Sequence, residues 1–263
     1  LAAEMKVAMR RRMVELSARS SDIVVTPSAA MKDMLLYWRA AAEEKCVVIH
    51  HGFDRERFLS MTNERDAELE RMLERRGDER ILFYPSLYGK HKNFDTLMEG
   101  LCALAGRGID VRLVLTCDID AAADPYQRRT ASIIREKSLG NRITMLGRRP
   151  YNYMPRIYSA ADVIVWPTFA ESFGHPLLET MASGKPIVAS DLAINREIAG
   201  DAALYFGTFD PEDFADKVQQ ALEADAAKRL TAHGASRTLE FSWEKHVARF
   251  IDVFKTLAEK KNA

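Results

Sequence analysis

The chain has 263 residues, with 38 Lys plus Arg balanced by 38 Asp plus Glu, so its formal net charge is zero. It lacks the basic excess of a dedicated nucleic-acid binder, and 47% hydrophobic against 29% charged residues supplies a core and excludes general disorder. Three scattered cysteines, Cys46, Cys102 and Cys117, form no CxxC pair, which excludes a disulfide framework or a zinc ribbon. The expected compartment is the reducing cytoplasm. The longest apolar runs are strand-sized, too short to span a bilayer.

The sequence opens at Leu1 on a charged helical pattern, with neither an initiator Met nor a secretory signal, and is expected to be part of a longer protein. Periodicity predicts a helix over 4–18, a strand over 23–25, and a helix over 29–41 with Ser28 as its N-cap. A strand over 46–49 follows, running into the turn His50-His51-Gly52-Phe53-Asp54. Residues 64–76 read as a charged helix with Leu69, Met72 and Leu73 on one face, and a domain boundary is expected near 52–60.

From residue 81 the rhythm is regular. Strands are predicted over 81–84, 111–116, 143–146, 163–166, 187–190 and 204–206. The helix after the first of them shows Phe94, Leu97, Met98, Leu101 and Leu104 at helical spacing. Further helices are predicted over 126–137, 154–160, 177–183 and 213–223. A last one runs over 243–260, with Val247, Phe250, Ile251, Phe254 and Leu257 as its apolar stripe. Short, nearly continuous apolar strands separated by helices are the mark of parallel strands covered on both faces. The fold class is therefore α/β, a Rossmann-like doubly wound parallel sheet; six units fall short of a closed barrel.

Ligands of such sheets bind beyond the carboxyl ends of the strands, and three strand ends carry unusual residues. Glu171-Ser172-Phe173-Gly174-His175-Pro176-Leu177-Leu178-Glu179 follows the strand at 163–166 and turns into a helix. Pro suits a first helical position, Gly174 allows close backbone approach, and the helix start is an anion site. Two carboxylates flanking that start suit a ligand with both phosphates and sugar hydroxyls. Spacing alone leaves open that Glu171 is a solvated loop residue and Glu179 an ordinary surface glutamate. In Tyr84-Pro85-Ser86-Leu87-Tyr88-Gly89-Lys90-His91-Lys92-Asn93, Lys90 and Lys92 are candidates to neutralise a diphosphate and Asn93 to cap the next helix, a solvated basic loop being the alternative. Leu146-Gly147-Arg148-Arg149-Pro150 offers a glycine against which a flat base would stack.

No GxGxxG follows a strand, no P-loop is complete and no GxSxG is present, which argues against a dinucleotide dehydrogenase, a P-loop NTPase and a serine hydrolase. His50-His51 lacks partners at metal-ligand spacing. Arg10-Arg11-Arg12 is a candidate for peripheral contact with an anionic membrane, diluted by Glu4 and Glu15, with a solvated helix face as the alternative.

The segment Glu171 to Glu179 resembles the Glu-x7-Glu motif, in its Glu-x-Phe-Gly form, of retaining glycosyltransferases of family four. The preceding Ala160-Ala161-Asp162-Val163-Ile164-Val165-Trp166-Pro167-Thr168 and the following Met181-Ala182-Ser183-Gly184-Lys185-Pro186-Ile187-Val188-Ala189-Ser190 continue the resemblance in order. So do Gly200-Asp201-Ala202-Ala203-Leu204-Tyr205-Phe206 and, upstream, Val48-Ile49-His50-His51-Gly52-Phe53-Asp54.

This resemblance implies a GT-B fold. Residues 1–55 would be a remnant of the N-terminal Rossmann-like domain and hinge, 56–242 the C-terminal nucleotide-sugar donor-binding domain, and 243–263 a crossover helix. It implies sugar transfer from a nucleotide-diphosphate sugar with retention of configuration, no cofactor and no required metal, in polysaccharide or lipid-linked glycan synthesis. Glu179 would bind ribose hydroxyls, Glu171 and Lys92 would act at the donor sugar and its diphosphate, and the backbone of Phe173, Gly174 and His175 would meet sugar and diphosphate. Ser86, Lys90 and Asn93 join the expected donor set, and Leu146 with Gly147 would border the base. The family commonly carries an Arg shortly before that Lys, where this chain has Ser86 and Leu87; Lys90 supplies charge but not a bidentate fork. A non-catalytic nucleotide- or sugar-binding module and a GT-B sugar-nucleotide epimerase are the alternatives. Expected partners are the nucleotide-sugar donor, a glycan or lipid-linked acceptor and the missing N-terminal domain.

Overall fold

In the computed structural model, which describes residues 2–61 and 66–262, the chain divides into two compact units: Leu1–Phe53 with Phe241–Ala263, and Asp54–Glu240. The first unit runs α1 (Ala2–Ser20), β1 (Val24–Thr26), α2 (Ala29–Tyr37) and β2 (Cys46–Val48). The two strands pair in parallel with Val24 opposite Cys46. Ser28 caps α2 as predicted, accepting the Met31 N–H at 3.2 Å. The helix stops at Tyr37, short of the predicted 41, because Arg39 turns left-handed at φ 52. Arg39 N–H then bonds Leu36 O and Ala40 N–H bonds Leu35 O, both at 2.9 Å. This closure usually uses glycine; with Arg in its place, no residue type marks the stop. The C-terminal helix, Trp243–Asn262, belongs to this same unit. It lies so close to Gly52 that a Cβ there would be 2.5 Å from Trp243 Cα, and His246 Nδ1 meets the His50 carbonyl at 2.7 Å.

The second unit begins with α3 (Arg55–Ser60) and α4 (Ala67–Leu73). Asp54 caps α3 by accepting the Arg57 N–H at 2.8 Å, so the expected charged boundary stretch contains a helix whose buried anchor is Phe58. Of the helix predicted over 64–76, residues 64 and 65 lie outside the described residues; Asp66 starts what is described, and Leu69 and Leu73 are its buried face. Then follow β3 (Arg80–Tyr84), α5 (Phe94–Gly106), β4 (Val111–Leu115), α6 (Pro125–Glu136), β5 (Ile143–Met145), α7 (Met154–Ala160) and β6 (Val163–Trp166). The unit closes with α8 (His175–Ala182), β7 (Ile187–Ser190), α9 (Ala193–Ala199), β8 (Ala203–Phe206), α10 (Pro211–Ala221) and α11 (Ala224–Arg237). Helices α9 and α11 were not predicted. Helix α11 buries only Ala226, Leu230 and Gly234, too thin a stripe to read from periodicity.

All six strands are parallel and ordered β5-β4-β3-β6-β7-β8. Their apolar residues are buried almost throughout, which is why they read as continuous rather than alternating runs. The strand order reverses between β3 and β6, where Leu82 pairs with Val163 and Phe83 with Ile164. Successive crossovers leave this point in opposite directions, opening a crevice beyond the strand ends. Among the described residues no helix is long and apolar enough to cross a membrane.

Candidate functional site

The loops after β3 and β6 meet at this reversal and are tied together by buried polar bonds. Asn93 sits left-handed at φ 56, and its Nδ2 donates to Pro167 O at 3.0 Å and to Thr208 O at 2.7 Å. Its Oδ1 accepts the Thr96 hydroxyl at 2.9 Å. Asn93 therefore joins three loops and makes no side-chain cap to α5, a correction to the capping expectation. Thr168 Oγ1 and the Phe169 N–H both donate to His91 O at 2.9 Å, and Tyr84 Oη donates to Lys92 O at 3.0 Å. The backbone at Lys92 is thus held on both sides.

Lys92 Nζ lies 3.3 Å from Glu171 Oε2 and 4.8 Å from the centroid of the Trp166 ring. Both charged side chains are less than a fifth exposed, so Glu171 is not a solvated loop residue. Its other oxygen accepts the Ser172 N–H at 2.9 Å. Gly174 precedes α8 at φ 87, and a Cβ there would fall 3.6 Å from Glu171 Cγ and 3.2 Å from Leu177 Cδ1. The left-handed backbone, more than the space, requires glycine. His175 opens the helix, exposed, with its ring 5.1 Å from that of buried Phe173. Pro176 is the second helical residue rather than the first, and the Leu177 N–H is taken by Gly174 O at 2.9 Å. Neither of these two positions offers a ligand a backbone donor.

Glu179, one turn further on, is 6% exposed and far from an ordinary surface glutamate. Tyr151 Oη donates to its Oε1 and Tyr158 Oη to its Oε2, both at 2.8 Å. Phe58 packs against both phenol rings, 6.0 Å from that of Tyr151 and 5.9 Å from that of Tyr158. Burial raises the Glu179 pKa above the usual carboxylate value, and the two phenol bonds pull partly the other way. Beside it lies a cavity of ≈ 550 Å³ lined in part by Ser86, Thr116, Arg148, Arg149, Tyr151 and Glu179. That volume falls within the range of small-molecule and cofactor sites.

The predicted residues thus separate into groups. Ser86 and Glu179 share the cavity wall, while Lys92 and Glu171 pair on the adjoining loops. Lys90 goes elsewhere: it lies 4.8 Å over the Tyr126 ring and lines a second cavity of ≈ 340 Å³. Leu146 is buried and its carbonyl accepts Arg149 Nε at 2.9 Å, while Gly147 turns at φ 66 beside Asp118. The cavity is instead bordered by the next residues, Arg148 to Tyr151. Sequence reasoning missed Tyr151 and Tyr158; Tyr158 carries a faint signal as an aromatic one turn after Met154 on a short apolar helix. Among the described residues no group of three or more His, Cys, Asp or Glu is placed to hold a metal ion.

Residues 66–237, more than half of the chain, match the family model described as glycosyl transferases group 1. The chain belongs to this family. Among curated relatives of this group 1 chain, O-antigen chain mannosyltransferase B of Escherichia coli is 35% identical over 116 residues, covering 44% of this chain and 30% of the relative. D-inositol 3-phosphate glycosyltransferase of Corynebacterium aurimucosum is 26% identical over 239 residues, 89% of this chain and 57% of the relative. The group 1 chain therefore spans no more than 57% of the length of either relative. A crystal structure of Anabaena HepE in complex with UDP-glucose has the same fold, with a TM-score of 0.74 at 21% identity over 95% of this chain and 68% of that one.

Proposed function

We propose that this chain is the donor-binding part of a retaining glycosyltransferase that takes a sugar from a nucleotide-diphosphate sugar and passes it to a glycan or lipid-linked acceptor. The observation that carries this reading is Glu179, a buried carboxylate at the edge of a nucleoside-sized cavity at the strand reversal. Ribose hydroxyls are the donors that such a carboxylate would accept. Lys92 then stabilises negative charge on the departing diphosphate, and Glu171 beside it faces the sugar; charge stabilisation of this kind is often the largest catalytic contribution. Arg148, exposed on the cavity rim, is a further cation within this site. No metal is needed for these roles. Residues 56–242 serve as the donor domain, and acceptor choice falls to the domain that includes 1–55 and receives the helix of 243–263. The protein works in the cytoplasm, with Arg10-Arg11-Arg12 as its candidate membrane contact.

A binding module without transfer activity is the second reading. It is favoured by Ser86, which stands where the family commonly has Arg, and by Lys90, which turns to Tyr126 instead of filling that role.

Calorimetric titration of the chain with UDP, GDP and ADP, with Glu179→Ala as control, tests the site. Binding of one nucleotide that is lost in the variant supports it and identifies the base. Equal binding by parent and variant sinks the assignment. Release of free nucleotide from the matching nucleotide sugar in the presence of acceptor separates transfer from binding alone.

A further inference from the structure

Strand β6 ends in Trp166, which is 2% exposed and whose indole N–H has no hydrogen-bond partner among the described residues. A buried donor left unpaired costs free energy. An aliphatic side chain, like those of Val163, Ile164 and Val165 before it, would end the strand without that cost. What an indole adds is a π face, and Lys92 Nζ stands over it at 4.8 Å. The ring cannot turn freely: Tyr84 packs edge-on against it at 5.7 Å and 85°. The same tyrosine anchors the Lys92 carbonyl, so one residue orients both the platform and the backbone that carries the ammonium.

The two neighbours of the ammonium differ in what they do to an incoming anion. Glu171 attracts Lys92 but carries a negative charge of its own, which repels a phosphate. An indole attracts a cation through its quadrupole while adding no net charge, and more strongly where water is kept away. A lysine held by a ring keeps its charge for a ligand. Such a hold matters for a flexible four-carbon stem, which otherwise loses conformational freedom when a ligand binds.

We propose that Trp166 is a positioning residue for Lys92, holding its ammonium at the strand reversal, ready for a diphosphate. This rests on the reading of the site as a diphosphate-sugar site. The test compares affinities for UDP, GDP and ADP with those for UMP, GMP and AMP, taking the base that binds tightest, in the parent, Lys92→Met, Trp166→Leu and Trp166→Phe. Lys92→Met is expected to lose on the order of tenfold in diphosphate affinity, in line with a charge-assisted hydrogen bond, and little for the monophosphate. Trp166→Leu is expected to show the same selective loss, about three- to tenfold. Trp166→Phe, which keeps a weaker π face, falls between parent and leucine variant. A general loss of packing would weaken both ligands alike, so the diphosphate-to-monophosphate ratio isolates positioning. If Lys92→Met shows the selective loss and folded Trp166→Leu does not, the inference is overturned while the site reading stands. Where the leucine variant does not fold, an unchanged ratio in Trp166→Phe overturns it. If Lys92→Met also leaves the ratio unchanged, the diphosphate reading fails and the inference with it.

Discussion

Tyr158, fully buried, donates its phenol hydrogen to Glu179 Oε2 at 2.8 Å, while half-exposed Tyr151 donates to Oε1 at the same distance. The two bonds are alike in length and unlike in surroundings. Tyr158 cannot leave its oxygen without opening the packing against Phe58 and Phe83. Tyr151 lies on the cavity wall, where a ligand hydroxyl competes for the same oxygen. Tyr158→Phe strips a buried carboxylate oxygen of its partner and should cost about 1–3 kcal/mol of stability in urea denaturation, with weaker nucleotide binding. Tyr151→Phe should cost less than that and leave nucleotide binding equal or tighter. Loss of affinity in Tyr151→Phe as large as in Tyr158→Phe would show that both phenols serve the ligand.

Protonation of Glu179 gives a second, independent handle. Burial raises its pKa in the folded chain above the unfolded value. A carboxyl with a raised folded pKa favours folding most below its unfolded pKa, and that contribution is lost as pH rises through the folded value. Glu179→Gln has no charge to bury. Stability of the glutamine variant relative to the parent should therefore increase from acid to neutral pH, read by denaturation at a series of pH values. Binding has the opposite slope. Ribose hydroxyls donate more strongly to the ionised carboxylate, so parent affinity for the matching nucleotide sugar should rise with pH over that range and stay nearly flat in the variant. A flat parent profile would remove Glu179 from ligand contact.

What could be read from the sequence follows from which physical signal each residue carries. The strands of the second unit are continuous apolar runs such as Val163 to Trp166 because both faces are covered, and nothing competes with that pattern. Glu171 and Glu179 stood out because charged residues flank a Gly-x-Pro helix start. The residue type of Asn93 suits a cap as well as a left-handed loop tie, and only tertiary carbonyls at Pro167 and Thr208 decide between them. Lys90 and Lys92 are two apart on a tight turn and look equivalent in one dimension; the fold sends one to Tyr126 and the other to Trp166. The partners of Glu179 come from 28 and 21 residues upstream, a distance across which no local pattern operates.

Buried charge also appears away from the site. Arg112, on β4 next to the edge strand β5, is 1% exposed and its Nε donates to Glu79 Oε1 at 2.7 Å. The same guanidinium donates to the carbonyls of Met72 at 2.7 Å and Glu74 at 2.8 Å, and to Thr144 Oγ1 at 3.0 Å. It fastens the C-terminal end of α4 and the residue that follows it to β4 and β5. Arg112→Met leaves Glu79 charged and buried with two carbonyls unpaired, and should cost about 3–5 kcal/mol of unfolding free energy. Adding Glu79→Met should recover part of that loss, because the stranded charge is gone. No recovery in the double variant would place the cost in the carbonyls rather than in the carboxylate.

The glycine at position 52 makes a last prediction, confined to the first unit. A Cβ on Gly52 would lie 2.5 Å from Trp243 Cα and 2.6 Å from Trp243 N, both backbone atoms at the start of the C-terminal helix. A flexible side chain could move out of such a clash; a helix backbone cannot without taking the helix with it. That helix is anchored at this turn by the His50 carbonyl to His246, and the segment leading into it by the Phe53 N–H to Phe241 O at 3.3 Å. Gly52→Ala should therefore cost about 1–3 kcal/mol, the usual range for overpacking, and shift the emission of Trp243 towards that of a solvated indole. The residues proposed to bind nucleotide all lie within Asp54–Glu240. Calorimetric affinity for the nucleotide should stay at the parent value in this variant, and a large loss there would mean that the first unit takes part in donor binding.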